Sequence, residues 1–426
     1  MSSSADDVTT RERRQGQDGA AGGTGVVVLV GQHPGEGDLC GTDHVALQAA
    51  VDRVAHLGGG TVLIGPGVYL MRDSLHLRPR VTVRGSGPET VLRKCDAAVS
   101  RLVLDGDYGE EQITVASAEG FAPGCGVAVW DDRSGGFHTV VRTILAGPVP
   151  PAVPEEAAGF TFRLNGPLLS DYLVSRNATA ATVFPVISGY YAEGVRIERL
   201  AIDGNRERNV SLTGCRGGGI FLYRCHGAVI TECVVHDYHG DGVSFQQSDD
   251  VRLERCEVSG CAQLGIHPGS GSQRPVVVDC YSHHNGAIGL YLCWRVRHGY
   301  FARNRLEANG RYGISIGHKD TDNLFVENIA TANGRYGVYF RDETAPMAGH
   351  RNRFVRCTFA GNGAQAPDGD GAEIRIDGET QGILFEACRI GDPGAGSVPG
   401  PEQSDGALAP GIVLGPRAAA PLITPA

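Results

Sequence analysis

Between residues 219 and 343 a glycine followed by an aliphatic residue recurs on a nearly fixed beat. The pairs are Gly219-Ile220, Gly242-Val243, Gly265-Ile266, Gly289-Leu290, Gly313-Ile314 and Gly337-Val338, with successive glycines 23, 23, 24, 24 and 24 residues apart. A period in the twenties held over six units marks a solenoid, because each unit has a face it can bury only against its neighbours. Apolar and polar residues alternate within each unit, as in Ile314-Ser315-Ile316 and Val338-Tyr339-Phe340, so the units are built of strands. A β repeat of this length is one coil of a parallel β-helix, and the fold class is all-β.

Each coil divides into three strands. In the unit that starts at Gly313 these are Ile314-Ser315-Ile316, then Leu324-Phe325-Val326-Glu327, then a strand that follows Asn328 and ends at Ala332-Asn333-Gly334. Two further columns keep the same register. One holds Cys233, Cys256, Cys280, Asn304, Asn328, Cys357 and Cys388; the other, five residues on, holds Cys261, Asn285, Asn309, Asn333 and Asn362. Asparagines stacked about 4.8 Å apart can pass amide hydrogen bonds from coil to coil. Cysteines in such a column are small buried fillers. Without Cys-x-x-Cys spacing they read as scaffold rather than as metal or redox centres.

The net charge of −10 and the lack of a basic stripe argue against a nucleic-acid partner. Residues 1–25 carry charges but no apolar run, and nowhere does the sequence reach membrane-spanning length. The expectation is therefore a cytoplasmic protein with reduced cysteines, and a secreted one only if a native signal is missing from the sequence. Residues 1–36 read as a flexible segment with a first strand near Val26-Val27-Val28-Leu29-Val30. The solenoid is expected over 37–395, with an irregular β insertion at about 110–190, and 396–426 as a Pro/Gly-rich tail in which Gly411-Ile412-Val413-Leu414 reads as a last strand.

Near the start, Thr42 sits at a helix N-cap position ahead of Leu47, Val51, Val54 and Leu57 on one helical face, and Gly58-Gly59-Gly60 ends that helix. The run Gly41-Thr42-Asp43 … Leu47-Gln48-Ala49-Ala50-Val51 … Gly58-Gly59-Gly60-Thr61-Val62 … Pro66-Gly67-Val68-Tyr69 … Val81-Thr82-Val83-Arg84-Gly85 resembles the N-terminal cap and first coils of the pectate-lyase-like superfamily. That resemblance implies a right-handed parallel β-helix whose N-terminal helix covers the open end of the solenoid. It also implies that the groove along the first sheet carries the active site. The superfamily includes lyases, hydrolases, epimerases and non-enzymes, so the resemblance speaks to fold more than to activity.

In the first strand of each coil, residues one and three after the glycine point into the core, so residues two and four point outward. The outward columns are Phe221, Ser244, His267, Tyr291, Ser315, Tyr339 and Tyr223, Gln246, Gly269, Cys293, Gly317, Arg341, with Trp294, Arg295, His318, Lys319 and Asp320 just beyond. Aromatic rings stack on sugars and arginine or lysine binds carboxylates, so this face suits a glycan. His267 and Tyr291 occupy one column on neighbouring coils and are the leading acid–base pair. Lys319, one of two lysines in the chain, with His318 and Arg341 completes the candidate catalytic set. Arg295, Trp294, Tyr339, Gln246, Tyr223, His239 and Asp241 are candidates for substrate contacts. Asp249/Asp250 and Asp320/Asp322 are candidates for a Ca²⁺ site, the alternative for such adjacent carboxylates being solvated turns; no other cofactor is implied.

Proton abstraction beside a uronate carboxylate, as in polysaccharide lyases and C5-epimerases, needs a base, an acid and a neutralising charge, and this set supplies each. Gly265-Ile266-His267-Pro268 is similar to the Gly-Phe-Asp-Pro-His motif of alginate C5-epimerases but has His267 in place of Asp and Gly269 in place of His. A glycoside hydrolase would need two carboxyl groups across the scissile bond; the outward columns hold none, leaving Asp241, Asp320, Asp342 and Glu343 in flanking loops and Glu373 a coil further on. A non-catalytic glycan-binding or structural β-helix is the third reading.

Overall fold

The computed structural model describes residues 25–149, 159–364, 366–391 and 411–425. The flexible character expected for residues 1–24, and that of the Pro/Gly-rich stretch 392–410, falls outside the described residues. Three parallel sheets of thirteen, ten and ten strands run the length of the molecule, each strand pairing with its counterpart one coil away. One ten-stranded sheet, here the site sheet, contains the strands that follow the glycine beat: Ile220–Tyr223, Val243–Gln246, Leu264–Gly269, Ile288–Tyr291, Tyr312–Ile316 and Tyr336–Phe340.

The solenoid is longer at both ends than the sequence reading. Val26–Gly31 is already one of its strands, pairing with Gly60–Ile64. At the other end Ile412–Leu414 and Leu422–Thr424 pair onto Ala372–Ile376 and Leu384–Glu386. The helix α1, His44–His56, buries Leu47, Ala50, Val51 and Val54 over the first coils. It thereby covers apolar core at the open end of the stack. Its cap is Asp43 rather than Thr42: the Asp43 carboxylate accepts the Val45 N–H at 3.0 Å. Leu57 falls at the C-cap and is exposed, so the apolar stripe ends one turn earlier than its spacing suggested. No helix among the described residues is long and apolar enough to cross a membrane.

The interruption of the rhythm is a six-stranded antiparallel sheet between Val99 and Ala181, somewhat upstream of the expected 110–190. It has its own core, which includes Val127, Val129, Ile144, Phe162 and Leu164. It is a wall laid against the first coils rather than a distorted coil.

The glycine beat and the asparagine column are two halves of one corner. A Cβ on Gly289, Gly313 or Gly337 would lie 2.7, 2.9 and 2.7 Å from the side-chain nitrogen of Asn309, Asn333 and Asn362 respectively. Only hydrogen fits there. The asparagines form the expected ladder: Asn285 Nδ2 donates to Asn309 Oδ1 at 2.9 Å, Asn309 to Asn333 at 3.0 Å, and Asn333 to Asn362 at 2.8 Å. A parallel ladder joins Asn304 to Asn328 at 2.9 Å at the next corner. A third, Asn323 to Asn352 at 2.9 Å, occupies the remaining corner and was not anticipated. The cysteines of the column donate to backbone carbonyls, as Cys233 and Cys256 do to Thr231 and Glu254 at 3.3 Å each.

Because each beat glycine faces inward, the strand turns its corner there and the period-two alternation restarts. Residues on both sides of the glycine pair therefore look outward. The column before the glycine, which contains Leu264, Ile288, Tyr312 and Tyr336, packs with Tyr291 and Tyr339 in a small apolar cluster outside the main core.

Candidate functional site

A cleft of about 700 Å³ opens on the outer face of the site sheet. Its floor alternates the two outward columns: Leu264 and His267, Ile288 and Tyr291, Tyr312 and Ser315, then Tyr339. One wall is the loop 205–218, contributing Ser211, Thr213, Gly214 and Cys215. This loop was missed in the sequence, although the pairing of Ile187 with Ile220 shows a coil longer than those that follow.

At the centre lie His267 and Asp241, each about 2% exposed, with His267 Nδ1 2.7 Å from Asp241 Oδ2. Asp241 is also anchored by the Leu264 N–H, at 3.2 Å from its Oδ1. Burial pushes the His267 pKa down, but the Asp241 carboxylate, together with the Cys293 sulfur, outweighs it and holds the imidazole up at about 9. The second ring nitrogen, Nε2, lies 3.3 Å from the Gln246 amide nitrogen. Gln246 is wholly buried, also donating to Ser244 at 2.9 Å, so it orients His267 instead of meeting a ligand.

The Tyr291 ring meets the His267 ring edge-on, 5.2 Å between centroids. Burial raises the Tyr291 pKa; the Arg341 guanidinium, 4.7 Å above the ring, opposes this. Tyr291 is thus a neutral phenol, able to donate a proton. Arg341 is partly committed: it donates to Ser315 at 3.0 Å, to the Leu292 carbonyl at 2.8 Å and to Asp320 at 2.9 Å. Gly317 leaves the room for it, since a Cβ there would lie 2.5 Å from Arg341 Nε. Tyr312, Tyr336 and Tyr339 form an aromatic edge with centroids 4.8–5.3 Å apart. Arg311, exposed at the rim, donates to the Tyr312 hydroxyl at 2.7 Å and has no acidic partner among the described residues. Arg311 and Tyr312 were not singled out in the sequence because the alternation was not carried back across the glycine.

The remaining candidates lie elsewhere. Trp294 stacks on His318 with centroids 4.4 Å apart, and His318 lies 3.4 Å from Glu343. The Lys319 amide donates to the Met347 carbonyl at 2.6 Å. These three and Arg295 form a turn cluster beyond the strand ends, off the cleft lining. The left-handed backbone at Trp294, Arg295, His318 and Lys319 carries the chain away from the sheet there. Tyr223 is drawn to Gln247, 3.3 Å from its hydroxyl, and to Tyr190 and Tyr191. His239 is buried beneath the surface and packs against the Tyr238 ring, tilted by 34° with centroids 4.0 Å apart. Burial drives its pKa down to about 3, so it is a neutral core residue and not a substrate contact.

The proposed Ca²⁺ ligands are occupied by arginines and backbone amides. Asp250 pairs with Arg274 at 2.7 Å, and Asp322 with Arg351 at 2.6 Å. Asp249 accepts the Gln273 N–H at 3.0 Å. Asp320 accepts the Val296 and Gly317 N–H groups at 2.9 and 3.0 Å besides Arg341, and burial raises its pKa to about 6 against the pull of Arg341. Among the described residues no cluster of three His, Cys, Asp or Glu side chains could hold a metal ion.

Gly214 fits against the central pair so closely that a Cβ would overlap the Asp241 carboxylate and lie 2.9 Å from His267 Nδ1. Gly214→Ala is therefore expected to displace loop 205–218 or the pair. A lowered melting temperature in thermal unfolding would read that displacement, and an unchanged one would show that the loop yields without disturbing the pair.

The family model described as "Right handed beta helix region" matches residues 200–352, and the chain is a right-handed parallel β-helix. Among solved structures it is similar to the A-module of the Azotobacter vinelandii mannuronan C-5 epimerase AlgE4: 14% identity, 90% of this chain and 91% of that one, TM-score 0.50. A protein named only as a glycoside hydrolase gives 11% identity over 94% of this chain and 97% of its own, TM-score 0.51. ORF18 of Geobacillus virus E2 gives 10% identity over 89% and 56%, TM-score 0.51. At these identities the likeness is one of fold. No curated protein matches the chain.

Proposed function

We propose that the cleft removes the proton beside the carboxylate of a uronate residue in a glycan, with His267 as base and Tyr291 as acid. The observation that carries this reading is the buried Asp241–His267 pair, 2.7 Å apart, set edge-on to a neutral tyrosine in a cleft edged by Arg311 and Arg341. Asp241 holds Nδ1 of His267 and so fixes the tautomer whose lone pair is on Nε2, raising its basicity. The long 3.3 Å contact from the Gln246 amide must open for that nitrogen to take a substrate proton. Tyr291, one coil away, gives a proton back. Delivered to the departing glycosidic oxygen, that proton completes an elimination; delivered to the opposite face of the carbon, it completes an epimerisation. Arg311 supplies a cation for the substrate carboxylate, whose charge must be neutralised before the neighbouring proton becomes acidic. Tyr339 and the Tyr312–Tyr336 edge offer rings for the adjoining sugar. A fold shared with a mannuronan C-5 epimerase is in keeping with such a substrate.

Glycoside hydrolysis is less well supported, since a hydrolase needs two carboxyl groups. Among the described residues Asp241 is the single acidic one in the cleft lining, and it is already bound to His267. The test is a panel of uronate and neutral glycans followed three ways. A new double bond absorbing in the ultraviolet identifies a lyase, and solvent deuterium at one ring carbon identifies an epimerase. Reducing ends released without either would overturn the proposal in favour of hydrolysis, and binding without turnover would do so in favour of a glycan-binding protein.

The active base is the neutral imidazole, so kcat/KM should climb with pH and level off above about 9. Asp241→Asn removes the charge that holds the pKa up. The rising limb should then move down by roughly 1–3 units and the plateau rate should fall. A limb unmoved in the variant would show that the pair is not the base.

A further inference from the structure

At the upstream end of the site sheet, where the inserted sheet leans on the first coils, a second cleft of about 350 Å³ opens. Three side chains along it form one hydrogen-bonded line. Asp73 Oδ2 lies 3.2 Å from His76 Nε2, and His76 Nδ1 lies 2.9 Å from Ser188 Oγ. Ser188 and His76 are partners in register on adjacent strands, in the outward column that further along holds His267 and Tyr291. The Asp73 carboxylate is fixed on both oxygens: the Ser74 N–H donates to Oδ1 at 2.7 Å and the Thr143 hydroxyl to Oδ2 at 2.6 Å. With its Nε2 proton given to Asp73, His76 presents Nδ1 as an acceptor to the serine hydroxyl. Nucleophile, base and orienting carboxylate are thus in the order that activates a serine.

The surroundings fit the same chemistry. Asn165 borders the cleft; its side-chain oxygen accepts the Thr143 N–H at 3.0 Å, and its amide nitrogen has no partner among the described residues. Arg142 adds a positive charge, its guanidinium fixed by the Pro167 carbonyl through Nε and Nη2 at 3.0 and 2.5 Å and by the Val141 carbonyl through Nη1 at 2.9 Å. Val141, Pro185 and Tyr190 close the cleft with apolar surface. His76 is half-buried and Ser188 buried, and both line this space.

We propose that this second cleft is a serine-dependent site that hydrolyses small O-acyl esters, such as those on a substituted sugar, with Ser188 as nucleophile, His76 as base and Asp73 as its positioning residue. Ser188 Oγ bonds to the acyl carbon as its proton passes to His76 Nδ1. The ester C–O bond breaks and the alcohol leaves with that proton. Water, deprotonated by His76, then attacks the acyl-serine, releasing the carboxylic acid and restoring the hydroxyl. The Asn165 amide donates to the oxyanion of each tetrahedral stage, and the Arg142 charge favours it through the field alone. None of these residues belongs to the His267 cleft, so the two activities can fail separately.

The test uses the full chain, a fluorophosphonate probe and 4-nitrophenyl acetate. One equivalent of probe should attach, and peptide mapping should place it on Ser188. Ser188→Ala and His76→Gln should each lower ester hydrolysis by about 100-fold or more and abolish labelling. In Asp73→Asn the pH profile of hydrolysis should shift, a change that a merely structural role would not produce. His76→Gln keeps the serine and a hydrogen-bonding side chain, so it guards against misfolding of the alanine variant. Labelling at another residue, no labelling at all, or hydrolysis undiminished in both variants would overturn the proposal.

Discussion

Replacing His267 by glutamine is expected to lower kcat/KM on the proposed uronate substrate by about 10²–10⁴-fold, the usual contribution of a positioned general base. Glutamine is the informative choice because of what surrounds the ring. Asp241 is buried, and beyond His267 it meets the Leu264 N–H. Alanine would leave that carboxylate facing an empty space, a change costing about 3–5 kcal/mol where one member of a buried pair is removed. Glutamine can still donate to Asp241, so the melting temperature should fall little while proton abstraction stops. Deuterium exchange at the substrate carbon reads the chemistry directly and calorimetry reads the fold. Undiminished exchange in this variant would remove His267 from the mechanism.

The largest expected effect on stability comes from the corner ladder. Asn309 Oδ1 accepts both the backbone N–H and the side-chain amide of Asn285, at 3.2 and 2.9 Å; its Nδ2 donates to Asn333 at 3.0 Å and to the Ser282 carbonyl at 3.2 Å. Asn309→Ala orphans several buried polar groups at once, each costing about 1–3 kcal/mol. A total loss of roughly 3–5 kcal/mol is expected, measured by urea unfolding. Arg274→Ala, which breaks an exposed, solvent-screened pair with Asp250, should leave the urea midpoint nearly unchanged. Equal losses in the two variants would mean that the ladder carries no special weight.

The sequence made the coil, its three strands and the asparagine corner legible because these features repeat: a column of identical residues advertises its own register. The His267–Tyr291 neighbourhood was legible for the same reason. Asp241 was recognised as a candidate for substrate contact and as a flanking carboxylate, not as the partner of His267, because that pairing depends on a hydrogen bond across a coil, to a residue 26 positions away. Arg311 and Tyr312 were hidden by the inward-facing glycine, which resets the alternation. Loop 205–218 and the inserted sheet have no repeat at all, and they decide which outward residues are accessible. Phe221, Ser244 and Gln246 point away from the core yet are fully buried. Lys319 stood out by its rarity, a property of composition that carries no information about place.

The ladders also decide where this molecule can change. Hydrogen-bonded asparagine partners are 24 residues apart along most of the column, but Asn323 and Asn352, and Asn333 and Asn362, are separated by 29. The extra residues are accommodated in the excursion ahead of Asn352, and the strands beyond it resume their pairing without a slip. Register is thus re-established at every corner, and an error in loop length does not propagate to the next coil. A chain built this way can exchange the loops that border its clefts much as a tool holder exchanges bits. New ligand preferences can arise there while the stack beneath continues to fold from the same instructions.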